Sequence, residues 1–224
     1  VGAHWPPYFV VDEQQLSGVD LEIIAITLNS IGHCAEFIRL PSPNRMRAEF
    51  VADRVDVLMA LSYTDERATL GVYSNPYRQE RLRLMVNSQR VSDPDVPLQA
   101  LLKQRKTLVL TENSYFGEEV AEFMLDPVYK RQIVYVSKVP LRFAMVASGH
   151  VDMTVIDEQV ASYLTQQIHA DDVRFGHEVV TQENVHFLIN KRIATPAFMA
   201  QFNHALAEHQ SAFDNRLNAL LQLQ

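Results

Sequence analysis

Few residues able to do chemistry stand at spacings that demand it. The histidines form no H-E-x-x-H pair, and His204 and His209 are too poorly matched to one helix face to act as a metal pair. No G-x-G-x-x-G or Walker loop is present, and the 7 glycines leave little for phosphate cradles. A G-x-S-x-G elbow is also missing. Glu118 and Glu119 fall in the first turn of an expected helix, where they complement its dipole rather than serve as an acid–base pair. The lone cysteine, Cys34, has no partner for an internal disulfide or a zinc site and reads as a small buried apolar residue.

Polar and aromatic residues concentrate instead in four segments. They are Trp5-Pro6-Pro7-Tyr8-Phe9 with Leu16-Ser17-Gly18-Val19-Asp20-Leu21; Ala60-Leu61-Ser62-Tyr63-Thr64-Asp65-Glu66-Arg67 with Tyr73-Ser74-Asn75-Pro76-Tyr77; Asn113-Ser114-Tyr115-Phe116-Gly117; and Val151 through Ala161, which contains Asp157 and Glu158.

The elements that must position them alternate between strand and helix. Val1 to His4 reads as the end of a strand. Leu21, Ile24, Leu28 and Ile31 then recur at helical spacing, and Gly32 closes that helix. Cys34 to Leu40 is expected as a strand and Arg45 to Asp53 as a short helix. Val55 to Leu61 is nearly all apolar, the pattern of a parallel strand covered on both faces. An extended stretch runs from Val72 to Asn87. Further strands are expected at Lys106–Leu110, Gln132–Val136, Val151–Ile156 and Val185–Asn190. Intervening helices include one capped by Asn113 or Ser114, with Phe116, Val120, Phe123 and Met124 on its inner face. Thr195-Pro196 starts a helix with Met199, Phe202 and Leu206 inward, and Phe213, Leu217, Leu220 and Leu221 suggest a last amphipathic one. Asp53-Arg54-Val55-Asp56-Val57 and Gly149-His150-Val151-Asp152-Met153 echo each other ahead of two buried strands, which hints at two lobes of like topology.

The chain of 224 residues carries 20 Lys+Arg against 27 Asp+Glu, with no basic stripe, which argues against nucleic acid as a partner. No apolar run reaches membrane-spanning length. The polar segment Ser88 to Leu98, with Pro94 and Pro97, reads as a crossing between lobes, and Gly176 to Gln182 as the return. Two crossings make a hinge rather than a tether.

In their order and spacing the four segments resemble the bacterial extracellular solute-binding protein family 3, the polar amino-acid binding group, over nearly the whole chain. The resemblance implies an α/β fold of the type II periplasmic-binding-protein-like kind, with two β/α lobes, a two-strand hinge and a ligand cleft between the lobes. Residues 1–87 and 180–224 would form lobe 1, and 88–179 lobe 2. It implies that Arg67 grips a ligand α-carboxylate, a role suited to a planar guanidinium fork. Ser62 would bond the same carboxylate, and the Ala60 carbonyl would accept from a ligand ammonium. Tyr8 would lie against the ligand side chain. Ser114 would close on the carboxylate from the second lobe, and Asp157 would pair with the ammonium while also suiting a helix cap. Asn113 departs from the family's usual glycine and would narrow the pocket or add a contact. Asn44 and Arg45 fall where relatives place side-chain-selecting residues.

The expected function is capture of a small amino-acid-like ligand by lobe closure, without a cofactor or metal, in a monomer that is periplasmic or otherwise extracytoplasmic and delivers to an ABC transporter permease. Something upstream is expected to have been cleaved or left out; if that was a secretion signal, the sequence no longer shows it. Two alternatives stay open: the sensing domain of a histidine kinase or chemoreceptor, and a cyclohexadienyl-dehydratase-like enzyme. The enzyme would need a general acid, for which Glu158 and Glu112 are the nearby candidates.

Overall fold

The computed structural model describes residues 4–11, 15–40, 42–112, 114–136, 138–168 and 171–222. In chain order the elements are β1 (Val10–Val11), β2 (Leu16–Ser17), α1 (Val19–Ser30), α2 (Pro43–Val51), β3 (Val57–Ser62), α3 (Asp65–Ala68), β4 (Gly71–Tyr73), β5 (Arg78–Asn87), α4 (Leu98–Lys103), β6 (Leu108–Thr111), α5 (Glu118–Leu125), β7 (Ile133–Val136), α6 (Val139–Ala147), β8 (Met153–Asp157), α7 (Glu158–Ile168), β9 (Val173–Asn190) and α8 (Pro196–Gln222). They build two compact units: Val1–Gln79 with Glu183–Gln224, and Glu80–Gln182. The chain passes between units inside the long strands β5 and β9, so Ser88 to Leu98 belongs wholly to the second unit rather than to a crossing.

In the first unit, β3 and β4 pair antiparallel with the end of β9. Among the described residues β3 therefore has an antiparallel neighbour where a parallel one was expected. Its apolar run reflects burial, which a strand beside an antiparallel neighbour achieves equally well when both faces are covered. α1 packs on α8. Tyr77 stacks on Phe187 with ring centroids 4.2 Å apart, and Phe187 meets Phe202 edge to face at 5.9 Å. α8 is one continuous helix where two were expected, because no glycine or proline interrupts Ala205 to Phe213. Its start is as read, with Thr195 Oγ1 accepting from Phe198 N at 3.2 Å. Cys34 to Leu40 joins no strand ladder and leaves a groove of about 340 Å³ against α1 and β3. Cys34 is exposed there, not buried, because the half-buried residues of this stretch are Ala35, Phe37 and Leu40.

In the second unit, β6 pairs parallel with both β7 and β8, and β5 runs antiparallel to β8. Leu82, Leu84 and Val86 alternate along β5 and enter one core with Leu108, Leu110 and Val155. The parallel pairing puts the carboxyl ends of β6, β7 and β8 at one edge. The antiparallel register Leu82↔Asp157 brings the start of β5 to that same edge.

One clamp is built twice. Asn190, the last residue of β9, donates from its backbone N to Asp56 O at 2.8 Å and from Nδ2 to Phe50 O at 2.9 Å, while its Oδ1 accepts from Arg192 N at 2.9 Å. Asn87, the last residue of β5, donates from its N to Asp152 O at 3.0 Å and from Nδ2 to Val146 O at 3.0 Å, and its Oδ1 accepts from Gln89 N at 3.0 Å. Arg192 pairs with Asp56 and Arg90 with Asp152. The two Val-Asp echoes in the sequence thus occupy matching positions in the two units.

Candidate ligand-binding site

In the first unit the register of β3 against β9 shifts between Leu58 and Leu61, and Ala60 takes φ 57, a conformation unusual for a residue with a side chain. Such a bulge re-aims a strand's end and the carbonyls on it. Ser62 closes the strand and is buried. Thr64 then caps α3, its Oγ1 accepting from Arg67 N at 3.2 Å, and this seats Arg67 in the first turn. The Arg67 guanidinium folds back and donates from Nη1 to Ser62 O at 3.0 Å. The same carbonyl accepts from Tyr73 Oη at 3.1 Å. Burial raises the Tyr73 phenol, while the Thr64 backbone and the Arg67 charge oppose that rise. Ala60, Ser62 and Arg67 are thereby gathered at one strand end. Tyr73 completes the group and was missed in the sequence, where nothing separated it from the other tyrosines.

Tyr8 belongs to the same unit. It is 1% exposed, and the Arg78 guanidinium sits 3.7 Å from its ring centroid. Arg78 Nε reaches Asp20 Oδ1 at 3.2 Å, and Tyr77 Oη donates to Asp20 Oδ2 at 2.6 Å. Gly18 makes this packing possible: at φ +125, a Cβ there would fall 2.3 Å from Tyr8 O. The Tyr8 ring thus packs against Arg78. Asn44 and Arg45 lie in the first turn of α2, with Arg45 paired to Glu49 at 2.5 Å.

In the second unit, Ser114 is half-buried in the loop after β6, and its N donates to Thr111 O at 3.4 Å. It does not cap a helix. α5 begins at Glu118 with Gly117 as its cap, because Gly117 (φ +96) turns where a Cβ would meet Thr181 at 2.8 Å. Glu118 and Glu119 do occupy the first turn. Asn113 lies outside the described residues. Phe116, in the same loop, carries the Arg142 guanidinium 5.1 Å from its ring centroid. Arg142 is buried, which lowers its pKa to about 9, and the Glu80 charge opposes that fall.

Asp157 ends β8 at 1% exposure. Its Oδ1 accepts from Gln159 N and Val160 N, both at 3.0 Å, which makes it the cap of α7, and its Oδ2 accepts from Arg81 N at 3.3 Å. Glu158 stands between Arg81 Nη1 at 3.2 Å and Arg83 Nε at 3.3 Å. Arg81 and Arg83 were missed because charges on a strand ordinarily mark a solvated face. Glu112 is exposed, and its N donates to Val136 O at 3.1 Å.

The model of the bacterial extracellular solute-binding proteins, family 3, matches residues 1–221. The chain belongs to that family. No curated protein matches this solute-binding protein in sequence. Among solved structures it is similar to a histidine kinase sensor domain with similarity to periplasmic binding proteins, at 17% identity and TM-score 0.81, covering 98% of this chain and 92% of that one. It is also similar to the P235GK mutant of ArgBP from T. maritima, at 18% and 0.78, covering 99% and 91%. The GluR0 ligand-binding core in complex with L-glutamate follows at 16% and 0.75, covering 97% and 95%. The fold of this solute-binding protein is accordingly the two-lobed, type II periplasmic-binding-protein-like α/β fold. Among the described residues no group of three or more His, Cys, Asp or Glu is placed to hold a metal, and no helix is long and apolar enough to cross a membrane.

Proposed function

We propose that this protein is an extracytoplasmic receptor that captures a small amino-acid-like ligand. The observation that carries the reading is the mounting of Arg67. A capped turn fixes its backbone, and a strand-end carbonyl aligns its guanidinium, beside the bulge that turns Ala60 out of its ladder. A guanidinium held this way is ready for bidentate contact with a carboxylate at little further cost in side-chain freedom. Ser62 and Ala60 assist from the first unit. Ser114 and Asn113 engage the ligand from the second, where Asp157 caps α7. Closure follows because only the closed form makes both sets of contacts. The work is binding rather than chemistry, since Glu158, the better placed of the two carboxyl groups considered for a general acid, is engaged by two arginines. Delivery to an ABC transporter permease by a monomer is the reading we favour. The likeness to a histidine kinase sensor domain supports a sensing module as the second reading.

A thermal-shift screen of amino acids and small carboxylates tests this. A ligand at 100 times its dissociation constant should stabilise the protein by about 2.7 kcal/mol. Arg67→Ala should abolish the shift. Binding that survives Arg67→Ala, or a screen with no response, overturns the assignment.

A further inference from the structure

The acids and bases at the carboxyl end of β8 carry information about the ligand's side chain. A ligand ammonium needs a carboxylate with accessible oxygens. Asp157, the acid expected to serve it, is 1% exposed, and both its oxygens already accept backbone N–H groups from Gln159, Val160 and Arg81. Those bonds start α7 and fix it to β5, so drawing Asp157 away would uncap a helix. The adjacent acid, Glu158, has one oxygen on Arg81 and the other on Arg83.

The cations are the more accessible partners. The Arg81 side chain is 44% exposed and that of Arg83 28%, against 22% for Glu158. A guanidinium carries five donor hydrogens. Glu158 engages one nitrogen of each arginine, so one carboxylate is shared between two positive charges. The arginines alternate on β5 with Leu82 and Leu84, which enter the core, so both stand on the opposite face of the strand. The loop holding Ser114 and Phe116 follows β6, which flanks β8 on the side away from β5 and ends at the same edge of the sheet, and Arg142 lies over Phe116 there. Burial lowers the pKa of Arg142 only to about 9, which leaves it a cation at neutral pH.

We propose that the ligand is acidic: Arg81, supported by Arg83, receives a second carboxylate, so the protein prefers dicarboxylate amino acids of the glutamate type to neutral or basic ones. The inference rests on the amino-acid-binding reading above and deepens it. Arg67 supplies the carboxylate anchor common to every amino acid, and the Arg81–Arg83 pair supplies the discrimination. Glu158 holds that pair in place and is a positioning residue.

Calorimetric titration with L-glutamate, its near-isostere L-glutamine and L-arginine tests the proposal. The wild type should bind glutamate more tightly than glutamine by roughly tenfold or more, the scale of a charged hydrogen-bonded contact. Arg81→Gln should collapse that ratio toward one, and Arg83→Gln should lower it in the same direction; melting curves of each variant establish that it is folded. A wild type that binds glutamine or arginine as tightly as glutamate overturns the proposal, as does an Arg81→Gln variant that keeps the ratio. The two levels of failure are distinct. Arg67-dependent binding of arginine would leave the amino-acid reading standing and remove this proposal alone. Absence of binding by all three probes, with no response elsewhere in the screen, would remove both.

Discussion

Asp20 is a carboxylate with no exposed surface, held by Arg78 and Tyr77, and the same Arg78 covers the Tyr8 ring. Removing one partner of a buried ion pair leaves the other charge desolvated. Arg78→Ala should therefore destabilise the protein by about 3–5 kcal/mol, read as a lowered denaturant midpoint at unchanged slope. Desolvation, with the neighbouring Asp20 charge, holds the Tyr77 phenol well above its ordinary range, so this cluster should stay intact into alkaline solution. How far such residues can be read from sequence depends on their neighbours in the chain. Arg67 is legible because a capping threonine and an acidic turn precede it at fixed spacing. Asp157 is legible as the acid after a buried strand, yet its engagement by Arg81 N depends on a strand 76 positions away. Arg78, Arg81 and Arg83 occupy a charge-rich run that looks uniformly solvated. Folding buries the first and leaves the other two partly exposed.

At the level of elements, the helices were legible where caps and periodicity are local, as at Thr195-Pro196. They were misread where a glycine's turn decides the start, as at Gly117. Strand direction was not legible at β3, because an apolar run reports burial and not the sense of its neighbour. The paired Asn87 and Asn190 clamps were also hidden, although the Val-Asp echoes they bind were visible. Each asparagine ties the last residue of a long strand to the end of a helix and to the start of a strand. Both side chains are buried, so losing one strands backbone carbonyls. Asn87→Ala and Asn190→Ala should each destabilise by about 1–3 kcal/mol in thermal or urea melts. The matched geometry predicts costs of similar size for the two.

For the whole molecule, the response to acid combines several groups. Burial opposes ionisation of Asp152, but hydrogen bonds from Thr107 and Arg90 hold its carboxyl below the usual range, and His177 does the same for Asp95. A depressed carboxyl contributes stability above its unfolded pKa of about 4 and loses it as pH falls through the folded value. Burial lowers His4, so the unfolded chain takes up a proton there first, and stability begins to fall below about pH 6.5. Melting temperature should decline gently from about pH 6.5 and steeply below about pH 4, and Asp152→Asn should flatten the steep part.

The division of the chain also orders its birth on the ribosome. The second unit is one unbroken stretch, Glu80–Gln182, whereas the first is assembled from both ends. β3 cannot pair with β9, nor α1 rest on α8, until those later segments have been made. The later segment of the chain therefore matures first as a folded body. The opening third waits in a provisional state, with the helix face that α8 will cover still open, until β9 and α8 have followed.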